Sequence, residues 1–120
     1  MACEYKEVPE LKTVEIMVDG KVTVEDFDKI APQLEKFIET HGTIKILEII
    51  KNFGGFDIAL LGKGMVFDMK HMKNFSHCAV VAEEGWIGPF TRMLSPFFNV
   101  EIKTFLLEEA DKARNWLKTS

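Results

Sequence analysis

The sequence predicts a single α/β domain: a mostly parallel sheet of about four to five strands, with an N-terminal hairpin and about four helices. Three observations carry that expectation. Strand-like and helix-like segments alternate along most of the chain, the order that builds β-α-β units with right-handed crossovers. Two of the strand-like runs, 44–50 and 77–82, are short, rich in β-branched residues and apolar on both faces, as strands inside a covered sheet are. The chain of 120 residues is 47% hydrophobic and 28% charged, enough for one core and one only. At this size roughly two thirds of the unfolded surface is buried on folding, so neither a disulfide nor a metal staple is needed.

Residues 1–12 are mostly polar and contain Pro9; they read as an arm or a short leading strand, with the domain proper spanning 13–118. Thr13 to Val18 alternates apolar and polar residues and runs into Asp19-Gly20, a hairpin signal, with Lys21 to Thr23 as the returning strand. Thr23 and Asp26 have the spacing of a capping box. Behind them Phe27, Ile30, Ala31, Leu34, Phe37 and Ile38 recur at helical intervals until His41-Gly42, where glycine ends the helix. After the strand at 44–50 comes the turn cluster 51–56, then Asp57 as N-cap of a helix to about Lys73. The strand at 77–82 is followed by a turn and by a shorter helix, 86–97, in which Pro89 is tolerable because it sits in the first turn. Val100 to Phe105 is the last strand. Glu108 to Lys118 is a helix with acids first and bases last, matching its dipole.

No segment carries a catalytic signature. Gly62-Lys63-Gly64 lies within a helical pattern and does not continue as a phosphate-binding loop. His41, His71 and His77 have no metal-ligand spacing, so no metal and no cofactor is expected. Asp57 and Asp68 share one helix side about 16 Å apart, too far to work as an acid/base pair. Cys78 sits in an apolar strand and reads as a small buried hydrophobe. The two cysteines form no disulfide framework, the N-terminus has no apolar leader, and no apolar run approaches bilayer length, which together predict a cytoplasmic protein. A net charge of −4 argues against nucleic acid as a partner.

What stands out is distribution. Residues 51–98 hold seven of the ten Phe, four of the six Met and Trp86. They carry 5 bases against 4 acids, whereas residues 1–50 carry 6 against 11, so the acidity belongs to the N-terminal part. On the helix after Asp57, residues Ile58, Leu61, Met65, Met69 and Met72 form a core-facing stripe, but Leu60, Gly64 and Phe67 project to the opposite side, where charges are usual. A helix apolar on two faces is explained by burial against a neighbouring helix or a homodimer partner, by a pocket for an apolar small molecule, or by contact with a membrane surface near Lys63, Lys70 and Lys73.

Taken together, Val18 to Thr23, Phe53-Gly54-Gly55-Phe56-Asp57, His77 to Val81 with Trp86, Ser95-Pro96-Phe97-Phe98, Val100 to Phe105 and Ala113 to Leu117 resemble the SpoIIAA-like family of small bacterial proteins. The resemblance covers about residues 13–118 and implies the fold of STAS domains and, in architecture, of CRAL-TRIO lipid-binding domains. In STAS-type anti-sigma-factor antagonists a phosphorylatable Ser starts the helix after the central strand. Here that junction reads Phe53 to Asp57, and there is no Ser or Thr between Thr43 and Ser76, so the phospho-switch does not carry over.

The expectation for function is a binding domain without catalytic residues. It would hold a lipid or other apolar small molecule and associate transiently with the inner face of a membrane through helices 57–73 and 86–97. Met65, Phe67, Met69, Met72, Trp86, Phe90, Met93 and Phe97 would line the ligand site, and Leu60, Lys63, Gly64, Phe67 and Lys70 would form the membrane or partner face. The alternative is a STAS-type protein-interaction module lacking the serine, with the same face making a homodimer or docking a partner.

Overall fold

A computed structural model describes residues 3–21, 23–52, 54, 74–83 and 101–120. These residues form one five-stranded sheet in the order β1-β2-β3-β4-β5. The strands are β1 (Cys3–Val8), β2 (Thr13–Asp19), β3 (Ile44–Lys51), β4 (Phe75–Ala82) and β5 (Glu101–Leu106). Strands β2 to β5 are mutually parallel, and β1 pairs antiparallel with β2 along its whole length, from Cys3↔Val18 to Val8↔Thr13. The two α-helices among the described residues are α1 (Val24–His41) and α2 (Ala110–Thr119). The other two expected helices, 57–73 and 86–97, lie outside the described residues.

The hairpin is present but one step earlier than the Asp19-Gly20 signal placed it. It joins β1 to β2 through a single 3₁₀ turn at Pro9–Leu11, closed by the Lys12 N–H on the Pro9 carbonyl at 3.0 Å. Asp19-Gly20 is instead the end of a parallel strand: the Gly20 N–H donates to the Lys51 carbonyl at 3.2 Å, across to β3. Lys21 and Thr23, expected in a returning strand, belong to no strand, and Thr23 is the N-cap of α1, as its spacing from Asp26 predicts.

Helix α1 starts and stops where the sequence says it should. Thr23 and Asp26 make the reciprocal capping box, and Gly42, at φ 79, ends the helix by donating its N–H to the Ile38 carbonyl at 2.7 Å. That positive φ is cheap only for glycine. The buried face of α1, Leu34, Phe37 and Ile38, packs on Val14, Ile44, Ile46 and Phe75.

Helix α2 covers the other face of the sheet. Ala113 and Leu117 pack on Leu47, Ile49, Ala79, Val81 and Phe105, the residues that alternate with the α1-facing set along each strand. Its C-terminal end is tied to the central strand: the Lys45 ammonium donates to the Leu117 carbonyl at 2.6 Å and the Ser120 carbonyl at 2.8 Å. A cation there satisfies carbonyls the helix leaves open and complements its dipole. At the opposite end, Glu109 accepts the Leu106 N–H at 2.9 Å, which holds its carboxyl below the usual carboxylate range.

Candidate functional site

The ends of β2 and β3 are fastened to each other before the chain enters the Phe- and Met-rich stretch. Asn52, with a left-handed φ of 45, donates from its side-chain amide to the Asp19 carboxylate at 3.2 Å, and the Gly54 N–H donates to the Gly20 carbonyl at 2.9 Å. A Cβ on Gly54 would meet the Lys21 nitrogen at 3.2 Å and the Gly20 carbonyl carbon at 3.3 Å, both backbone atoms. The glycine is there so that two backbones can touch. This junction launches segment 55–73, and the end of β4 at Ala82 launches segment 84–100.

All the residues assigned from sequence to the ligand site or the membrane face fall in those two segments. Met65, Phe67, Met69, Met72, Trp86, Phe90, Met93, Phe97, Leu60, Lys63, Gly64 and Lys70 thus lie outside the described residues. So do His71, Asp57, Asp68 and the glycine pair 62 and 64. The described part is the sheet whose strands these segments connect. On the α1 side, Val18, Ile50, Cys78, Val80 and Ala82 form an apolar strip buried across β2, β3 and β4, with Ile102 continuing it on β5. Val80 and Ala82 have no exposed surface.

One carboxylate interrupts that face. Glu48 lies on β3 between Ile16 and Val80 in register, half-buried, and its charge acts on Cys3. Cys3 is buried in the edge strand, and its thiol is pushed up to about 11, first by burial and then by the charges of Asp26 and Glu48. Such a thiol is almost wholly protonated at neutral pH and a poor nucleophile. Cys78 lies three strand spacings away and four residues further along the sheet, at least about 14 Å, which rules out a disulfide between the two cysteines.

Cys3 also walls an open cleft of about 420 Å³ between β1 and α1, with Tyr5, Asp26, Lys29, Ile30 and Gln33. The sequence placed no function in residues 1–12. The alternation of Cys3, Tyr5 and Glu7 on one side was the available signal, but it is too short to separate from an unstructured polar arm.

The raised thiol has a consequence for stability. Because its folded value lies above that of the unfolded chain, the protonated form stabilises the fold below about pH 9 and that contribution is lost as pH rises through about 11. Urea midpoints measured from pH 8 to 11 are expected to fall by the equivalent of about 2 kcal/mol, with Cys3→Ala showing a flatter curve. Alkylation of Cys3 by iodoacetamide in the folded protein should become fast only above pH 10. Tyr5 reinforces the trend, since burial and its hydrogen bond to Glu7 at 2.7 Å also raise its phenol.

On the α2 side the titratable groups are paired with one another. His77 Nε2 lies 3.4 Å from a Glu101 carboxylate oxygen, its Nδ1 is 2.8 Å from the Ser76 hydroxyl, and Trp116 meets its ring edge-on at 5.5 Å. Lys103 lies over Phe105 at 5.5 Å and Trp116 at 5.9 Å, and Arg114 grips Glu15 with two nitrogens at 3.2 Å. His77 was legible only as the start of a strand, because its partner is brought alongside by the parallel register His77↔Glu101. This row ties α2 to the sheet. Among the described residues no group of three or more His, Cys, Asp or Glu could hold a metal ion, and no helix is long and apolar enough to cross a membrane.

A family model described as SpoIIAA-like matches residues 13–118. The chain belongs to the SpoIIAA-like family. Its fold agrees with that of an uncharacterised DUF3478-family protein from Shewanella loihica PV-4, whose crystal structure has a SpoIIAA-like fold. The two superpose with a TM-score of 0.79 at 24% identity, over 97% of this chain and 92% of that one. That likeness concerns the fold alone. No protein of curated function matches the chain. The SpoIIAA-like, STAS-type sheet expected from the sequence is therefore the observed one, with β1 added at its edge.

Proposed function

We propose that this SpoIIAA-like domain is a binding module without catalytic chemistry that holds a lipid or other apolar small molecule and rests transiently on a membrane surface. The reading is carried by one observation: the segments that leave the C-terminal ends of β3 and β4, 52–74 and 83–100, hold six Phe, four Met and Trp86. Ligands of open α/β sheets bind outside the carboxyl ends of the strands at a reversal of strand order; the order here runs from β1 to β5 without one, so composition rather than topology supports the reading. Two further features favour it. The sheet strip ending at Val80 and Ala82 is apolar, and the near-neutral charge of 51–98 contrasts with the acidic N-terminal part. Met and Phe side chains suit a ligand of variable shape, because thioethers and rings adapt to irregular apolar surfaces.

The test is native mass spectrometry of protein purified without detergent, alongside flotation with liposomes containing anionic lipid. An apolar adduct lost on organic extraction and co-flotation weakened by Phe67→Glu are expected. No adduct and no flotation would reject the reading. A protein partner captured through Phe67 in their place would favour the STAS-type docking module.

A further inference from the structure

We infer that the domain associates with a second copy of itself through β1, joining two sheets edge to edge in one antiparallel register. β1 shares no residue with segments 57–73 and 86–97. β1 is the terminal strand, and no described strand pairs with its outer side. Such an edge offers a free row of backbone donors and acceptors. The ladder ends at Val8, because Pro9 has no N–H to continue it.

Charge selects the register. When two copies of β1 pair about a two-fold axis normal to the sheet, opposed residues must lie on the same face. Pairing centred on Glu4 would oppose two carboxylates, and pairing centred on Lys6 would oppose two ammonium groups. Pairing centred on Tyr5 opposes Glu4 to Lys6 of the second copy twice and brings the two Tyr5 rings together. Glu4 and Lys6 are both exposed. Lys6 already faces Glu15 across the β1–β2 ladder, so in this register it would stand between two carboxylates. On the far edge β5 carries a comparable Glu101 and Lys103, but Glu101 is held by His77 and Lys103 lies over Phe105 and Trp116. Six residues of strand make a small interface, so the association is weak and concentration-dependent.

Sedimentation velocity on the full chain from about 10 μM to 1 mM, a range that brackets weak interfaces of this kind, tests it. A reversible monomer–dimer equilibrium is expected, weakened by high salt. Glu4→Lys should raise the dissociation constant about tenfold or more, and Glu4→Lys combined with Lys6→Glu should bring it back to within about threefold of the original, since opposite charges again face each other. Far-ultraviolet circular dichroism checks that each variant is folded. A protein monomeric throughout, a dimer indifferent to Glu4→Lys, or a double variant as weak as the single one would overturn the inference. So would a dimer broken by Phe67→Glu and unaffected by Glu4→Lys, whereas loss of lipid binding alone bears only on the proposed function.

Discussion

Replacing Leu47 with alanine is expected to cost the fold about 2–5 kcal/mol, a large share of the stability of a domain this size. Leu47 sits in the central strand with no exposed surface, opposite Ala79 on β4 and beneath Ala113 and Leu117 of α2. Two of those neighbours are alanines, which cannot swing inward to fill a void. The lost leucine volume would therefore remain as a cavity, and the cost should fall in the upper part of the range. The melting temperature should drop by about 10 °C or more, and the denaturant midpoint should fall with its slope unchanged. Glu4→Ala on the exposed edge strand should change the unfolding free energy by less than about 0.5 kcal/mol. A Leu47→Ala loss below about 1 kcal/mol, the ordinary cost of a peripheral change, would mean that α2 settles onto the sheet without it.

The contrast between those two positions also explains how much of the molecule could be read beforehand. Leu47 and its neighbours lie in a run that is apolar on both faces, and a run of that kind identifies a covered strand without knowledge of its partners. Helix α1 was legible for a different reason: Thr23, Asp26 and Gly42 act within a few residues of themselves, so the signal is local and the structure honours it. β1 has neither advantage. Its sequence, Cys-Glu-Tyr-Lys-Glu-Val, is a strand because β2 offers it a ladder, and its charges suit an edge. Asp19-Gly20 shows the reverse case, a strong local signal overruled when the Gly20 N–H found the Lys51 carbonyl on a parallel neighbour. The same logic limits the site. A surplus of Phe and Met is visible in composition, but Lys45 reaching the end of α2, or His77 meeting Glu101, follows only from register.

Substitution of Asp26, which caps α1 and faces Cys3, is expected to have the second-largest effect. One carboxylate oxygen accepts both the Thr23 N–H at 3.0 Å and the Thr23 hydroxyl at 2.9 Å, while the Asp26 N–H donates back to that hydroxyl at 3.2 Å. The side chain is largely buried at the wall of the cleft beside β1, so any water that took its place would have to reproduce both bonds to Thr23. Asp26→Ala leaves the Thr23 N–H without its acceptor and loosens the first turn of α1, at a cost of about 1–3 kcal/mol. Asp26→Asn keeps an acceptor oxygen of the same size in the same place and should cost less than half as much. Both substitutions remove the negative charge that helps to raise the Cys3 thiol, so in both the thiol should titrate below its present value of about 11. The fall should be partial, because burial is the larger cause and Glu48 stays in place. Denaturation at pH 7 and alkylation rates between pH 8 and 11 separate the two roles. If the cap dominates, alanine and asparagine differ in stability and agree in thiol reactivity. Equal stability losses would instead assign the role of Asp26 to its charge at the helix N-terminus.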